Sequence, residues 1–198
     1  MGIEFELKYR ATEDIQARIA QGIDTWQTIS METTYYDTPD QALSQKWYTL
    51  RRRLENGASV CTLKCPAQGG GRGEWEVEAE RVEQAIPELC KLGAPADLRS
   101  LTREGVMPVC GARFTRRAAT VTLGDTVLEL ALDSGSLFSG KRQIPLCEVE
   151  VELKQGERAQ AMAYGKLLAQ KYGLVPDKKS KFRRALALWR EEQNGTAE

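Results

Sequence analysis

At 198 residues the chain is long enough to bury a core of its own, and it reads as one domain. Its 28 basic and 28 acidic residues cancel, so no bulk field draws it to nucleic acid or to an anionic membrane. Histidine is absent, which excludes Ser-His-Asp and Cys-His triads, His-ligated zinc and a histidine general base.

The first element is a strand. From Ile3 to Arg10 apolar residues (Ile3, Phe5, Leu7, Tyr9) alternate with charged ones (Glu4, Glu6, Lys8, Arg10). ATEDIQARIAQG then predicts a helix, with Thr12 as N-cap, Asp14 in the first turn and Gly22 as C-cap. TISMETTYYDT is rich in β-branched and aromatic residues and predicts a strand, after which Asp40 opens a short helical turn. YTLRRRLENG runs into an Asn56-Gly57 hairpin whose partner is ASVCTLKC. PAQGGGRG is a loop, and EWEVEAE alternates again. Two short helices, VEQAIPELCKLG and PADLRSLTREG, precede a second run of strands: VMPVCGARFTRRAATVTL, TVLELALDSG and PLCEVEVELKQ. ERAQAMAYGKLLAQKYG has helical spacing and ends at Gly173. Residues 191–198 are polar and predict a disordered tail.

The five cysteines (Cys61, Cys65, Cys90, Cys110, Cys147) are odd in number and irregular in spacing, and no second close pair completes a zinc site. They read as reduced thiols in a cytoplasmic protein. No secretory signal pattern and no apolar run long enough to span a bilayer is present.

The charged strand faces carry the functional information. An alternating strand ordinarily packs one face and solvates the other. Here Glu148, Glu150 and Glu152 share one face, as do Glu4 and Glu6, with successive Cα atoms about 6.5–7 Å apart. Uncompensated, such rows are destabilising, and Mg²⁺ or Mn²⁺ reverses the sign through hard oxygen ligands. Other strands carry the opposite charge with the same period: Arg51 and Arg53, Thr62 and Lys64, Lys8 and Arg10. Guanidinium matches phosphate oxygens bidentately and lysine supplies a point charge. Carboxylates for a metal and cations for an anion, enclosed in a barrel of about eight strands, describe a nucleotide or polyphosphate site.

These residues resemble the CYTH superfamily, the triphosphate tunnel metalloenzymes. Its ExExK signature stands here as Glu4, Glu6 and Lys8; YYDTPD, TLRRR, TLK, RGEWEVE, LALDSG, CEVEVELKQG and KKSKFRRAL follow in the family's order. The resemblance covers nearly the whole chain and implies an α+β fold over residues 1–190: an eight-stranded antiparallel β-barrel, a tunnel clad by helices with a charged interior. It implies metal ligation by Glu4, Glu6, Asp133, Glu148, Glu150 and Glu152, with Mg²⁺ or Mn²⁺ as cofactor. It implies a triphosphate substrate held by Lys8, Arg10, Arg51, Arg53, Lys64, Arg116 and Lys181, with Glu6, Lys8 and Glu152 as the catalytic group. Arg113, Arg116 and Arg117 compete for one inward position, which the placement of Phe114 gives to Arg116; Arg183 and Arg184 compete for another.

The order of elements is most similar to the CYTH domain of bacterial inorganic triphosphatases, which implies hydrolysis of tripolyphosphate by a monomer or homodimer. Thiamine triphosphatase and class IV adenylyl cyclase are the alternatives within the superfamily, and a non-catalytic polyphosphate- or nucleotide-binding module is the alternative outside enzymes. The CHAD helical domain that usually follows is not seen before Glu198, which leaves a standalone enzyme or a truncated chain.

Overall fold

The computed structural model describes residues 5–67 and 71–195. Nine strands form one antiparallel sheet: β1 (Glu6–Arg10), β2 (Gln27–Asp37), β3 (Thr49–Glu55), β4 (Ala58–Pro66), β5 (Arg72–Glu78), β6 (Met107–Leu123), β7 (Thr126–Ser139), β8 (Arg142–Gln155) and β9 (Val175–Pro176). The helices are α1 (Glu13–Ala20), α2 (Ala42–Gln45), α3 (Val82–Lys91), α4 (Leu98–Leu101), α5 (Arg158–Tyr172) and α6 (Lys181–Gly195).

The sheet order is β5-β4-β3-β2-β6-β7-β8-β1-β9. The expected architecture holds with two differences. The ninth strand is a two-residue piece that pairs with Tyr9 and Arg10. Its Pro176 lacks a donor, which suits an edge and hides the strand from pattern reading. The sheet also does not close: β5 and β9 lie at opposite ends of the order. It curls instead, so that side chains of β5 and β1 line one cavity.

Local chemistry sets these elements. Thr12 caps α1 by accepting from the Ile15 N–H at 3.3 Å, as its position predicts. Asn56 and Gly57 both have positive φ, 49° and 92°, the type I′ requirement that turns β3 into β4 without splaying the strands. The expected tail differs in part, since α6 continues through Gly195; residues 196–198 lie outside the described residues.

The apolar faces of the strands pack outward against helices. Leu7 and Tyr9 of β1, with Val149 and Val151 of β8, meet α1 and α5. A Cβ at Gly165 of α5 would collide with Leu7 and Tyr9, so glycine sets that close approach. Leu50, Cys61 and Leu63 meet α3 and α4. The third cluster lies on the concave side, where Phe182 and Leu186 of α6 pack against Met31, Tyr35, Phe114 and Leu137. Thus α6 fills one end of the concave face and leaves the other end as a cavity.

Candidate active site

The cavity measures about 670 Å³ and is lined from both arms of the curled sheet. Strand register builds its acidic wall. Glu6 of β1 stands opposite Glu152 of β8, which stands opposite Glu129 of β7. One layer deeper Lys8 stands opposite Glu150, and deeper still Arg10 and Asp133 flank Glu148. Like charges directly opposite one another destabilise a sheet, so this arrangement requires bound or built-in cations.

The deep layer has built-in cations. Asp133 and Glu148 are fully buried, and Glu150 nearly so. The Lys181 ammonium lies 2.8 Å from Asp133 Oδ2, 2.6 Å from Glu148 Oε2 and 2.6 Å from Glu150 Oε1. Arg116 donates from Nε and an Nη to both Asp133 carboxylate oxygens, at 2.8 Å each, and to Glu150 Oε2 at 2.5 Å. Arg184 donates to Glu148 Oε1. From outside, the Gln16 amide donates to the backbone carbonyls of Asp133 and Glu148 at 2.9 and 2.8 Å, tying α1 to the strands beneath the cluster. Burial alone would push the Glu150 carboxyl up; Lys181 and then Arg116 outweigh it and hold it well below the usual carboxylate range. Burial likewise opposes the Lys181 charge, and Glu150, Asp133 and Glu148 reverse this and raise its pKa.

The outer layer carries cations as well. Lys154 lies 2.8 Å from Glu152 and 3.8 Å from Glu129, and Arg116 approaches Glu129 at 3.6 Å. Glu6, Glu129, Glu150 and Glu152 all face the cavity. Carboxylates are hard-oxygen donors of the kind that suits Mg²⁺ or Mn²⁺. Among the described residues the group compact enough to hold an ion is the buried trio Asp133, Glu148 and Glu150, with ligand atoms within 4.8 Å of one another and paired here with Lys181 and Arg116.

The opposite wall is basic. Arg51, Arg53, Lys64 and Arg72 line it, with Glu74 between Lys64 (3.3 Å) and Arg51 (3.7 Å). Burial, and then the neighbouring Arg53 guanidinium, lower the pKa of Arg51. The Nε groups of Arg51 and Arg53 are buried with no hydrogen-bond partner among the described residues. Elsewhere on its guanidinium, Arg53 donates from an Nη to Glu55 Oε1 at 3.1 Å.

The structure brings Glu6, Lys8, Arg51, Arg53, Lys64, Arg116, Glu150, Glu152 and Lys181 to this cavity. Asp133 and Glu148 lie beneath it within the ionic cluster. Arg10 stands apart: its side chain is 67% exposed and 3.8 Å from Asp177, although its backbone pairs with Glu148 and Val175. Glu4 lies outside the described residues. Of the competing arginines, Arg116 faces in, while Arg113 lies over Phe138 and Arg117 over Trp26. Arg184 faces the cluster, and Arg183 stacks on Trp47. Glu129 was missed by sequence reading, although it shares the parity of Asp133 on an alternating strand.

An antiparallel sheet curled around a charged cavity is the architecture of a tunnel-type domain. The chain belongs to the CYTH domain family, whose model matches residues 2–186. It is similar to the inorganic triphosphatase of Haemophilus influenzae, 27% identical over 160 residues that make up 77% of this chain and 46% of that protein. The chain therefore spans about half the length of that curated relative. Among solved structures, the PH1819 protein of Pyrococcus horikoshii matches with a TM-score of 0.61 at 21% identity, over 93% of this chain and 98% of that one. A Hippeastrum protein, described as a putative adenylyl cyclase with dominant triphosphatase activity, matches with a TM-score of 0.61 at 19% identity, over 96% of each chain. These two likenesses show the fold. No helix among the described residues is long and apolar enough to cross a membrane.

Proposed function

We propose that this domain is a metal-dependent hydrolase that cleaves inorganic triphosphate to pyrophosphate and phosphate. The observation that carries this reading is one cavity in which Lys8, Arg51, Arg53 and Lys64 are gathered with Glu6, Glu150 and Glu152. The similarity to an inorganic triphosphatase supports it.

Phosphoryl transfer depends on positioning and charge neutralisation more than on covalent chemistry. Arg51, Arg53, Lys64 and Lys8 grip the phosphates from the basic side and from β1. Arg116 and Lys181 fix the carboxylates of the deep layer, so that Glu150 faces the cavity in one position. Glu6, Glu129, Glu150 and Glu152 would hold the metal. A bound Mg²⁺ or Mn²⁺ supplies charge neutralisation at phosphate oxygens and acidifies water. Glu6 or Glu152 takes the proton as water adds across the terminal P–O–P bridge, and the bridging oxygen leaves with pyrophosphate. The five free cysteines fit a reducing, cytoplasmic setting.

The test is phosphate release from tripolyphosphate, thiamine triphosphate and ATP, with Mg²⁺ and Mn²⁺ compared and cyclic AMP monitored. Tripolyphosphate should turn over fastest, and EDTA should abolish turnover. Equal or faster hydrolysis of ATP, cyclic AMP as main product, or tight binding without release overturns the reading.

A further inference from the structure

Next to the cavity, and sharing Thr49, Arg72, Ser180 and Phe182 with it, lies a second chamber of about 480 Å³. Its chemistry is different. Arg72, Lys178, Arg183 and Arg190 line it, and no carboxylate does. None of the four is ion-paired with a carboxylate among the described residues. Arg72 donates to Thr49 Oγ1 at 2.9 Å, Arg190 to Gln41 Oε1 at 3.1 Å, and Arg183 stacks 4.3 Å from the Trp47 ring centroid. In a protein with equal numbers of both charges, four cations around one recess with no counter-charge are a concentrated positive field. The first turn of α6 adds to it: Ser180 and Arg183 are on the wall, where a helix N-terminus favours negative charge.

Trp47 is a second, independent sign. The chain reverses after α2 with Trp47 N–H donating to Ser44 O and Tyr48 N–H to Leu43 O, a helix stop that favours glycine in the left-handed position. Trp47 occupies that position at φ 63° with 57% of its surface exposed. A bulky side chain there costs about 1–2 kcal/mol, and neither the turn nor the core needs it. What it provides is a flat platform that orients the Arg183 guanidinium on the chamber wall.

We infer that this chamber is a second, metal-independent anion site, and that its ligand is an oligophosphate of the pyrophosphate class. Guanidinium forks match phosphate oxygens, a polyvalent anion gains most from clustered charge, and the lack of carboxylates leaves no role for a metal. The inference is independent of whether the neighbouring cavity hydrolyses triphosphate.

Pyrophosphate is titrated in EDTA, following tryptophan fluorescence and heat. Wild-type protein should bind saturably, with a fluorescence change that Trp47→Phe abolishes. Arg183→Ala/Arg190→Ala should weaken binding by about a hundredfold, roughly tenfold for each lost guanidinium contact, with an unchanged melting temperature because both side chains are exposed. Arg51→Ala, on the wall of the first cavity and not among the residues that line the chamber, should leave this binding within about twofold wherever the variant is folded. No Trp47-dependent signal, undiminished affinity in the double variant, or an equal loss in Arg51→Ala would each overturn the inference.

Discussion

The Lys181 ammonium donates to Glu150 Oε1 at 2.6 Å, where the first residue of α6 meets the central strand of the acidic wall. One lysine thereby couples the helix that fills the concave face to three buried carboxylates. Lys181→Ala removes that cation and leaves Asp133, Glu148 and Glu150 with Arg116 and Arg184 alone. Breaking a buried charge pair from one side costs about 3–5 kcal/mol, and that is the expected loss in chemical denaturation. Mn²⁺ should raise the melting temperature of the variant more than that of the wild type, because the trio then accepts a divalent ion in the place of the ammonium. A loss under about 1 kcal/mol, in the range of exposed pairs, would remove the cluster from the account of stability.

The same pairing sets a pH window. Glu150 is held below its ordinary value of 4.5, so its contribution is present above pH 4.5 and is lost as pH falls through the depressed value. Lys181 is raised above its ordinary 10.5, so its contribution is present below pH 10.5 and is lost as pH rises through the raised value. The network is therefore at full strength from roughly pH 5 to pH 10. Unfolding free energy measured across that range should be flat for this part of the molecule, and the difference between wild type and Lys181→Ala should shrink only outside it, below as Glu150 protonates and above as Lys181 loses its proton. A difference that shrinks between pH 6 and pH 9 instead would contradict the assignment of these charges.

Neighbouring arginines on β6 separate the two faces of one strand. Arg116 touches Asp133, Glu150 and Glu129, whereas Arg117 lies 5.1 Å from the Trp26 ring centroid on the far side of the sheet. Arg116→Gln should destabilise the fold by about 3 kcal/mol or more, as an uncompensated buried carboxylate does, and should depress turnover. Arg117→Gln should change stability by about 1 kcal/mol, the worth of a cation–π contact, and leave turnover intact. Equal effects on turnover would mean that Phe114 misidentifies the inward parity.

Which residues alternate was legible in the sequence; what they stand opposite was not. Period-two patterning placed Glu6, Lys8, Glu150 and Glu152 on one face, because a strand's side chains must alternate. Register is a long-range property, and only the structure sets Glu129 beside Glu152. The same limit explains Asp133 and Glu148. Sequence reading placed them as carboxylates of one face, and only the structure shows that Lys181, from a helix far along the chain, pairs with them. Arg10 keeps the parity of Lys8 but its side chain turns to Asp177 and solvent, and no local pattern reports that partner, which comes from far along the chain.

The opening strand offers the last and most discriminating test, because three residues within one turn of the alternation have three different surroundings. Glu6 faces the cavity opposite Glu152, Lys8 faces it opposite Glu150, and Phe5 packs outward with the Arg158 guanidinium 4.3 Å from its ring centroid. Glu6→Gln keeps size and hydrogen bonding but removes a ligand charge, so turnover should fall strongly and extra Mn²⁺ should partly restore it. Lys8→Ala removes a phosphate contact, so KM should rise about tenfold or more, the worth of one charge-assisted bond, and added metal should not rescue it. Phe5→Leu changes only packing; it should lower stability by about 1 kcal/mol and leave the chemistry of the folded protein nearly unchanged. A merely solvated strand face predicts the opposite pattern, with Glu6→Gln and Lys8→Ala nearly silent, since exposed charges contribute little. Turnover, KM and melting temperature for the three variants across a Mn²⁺ titration decide the matter, and a silent Glu6→Gln would refute the catalytic reading of this wall.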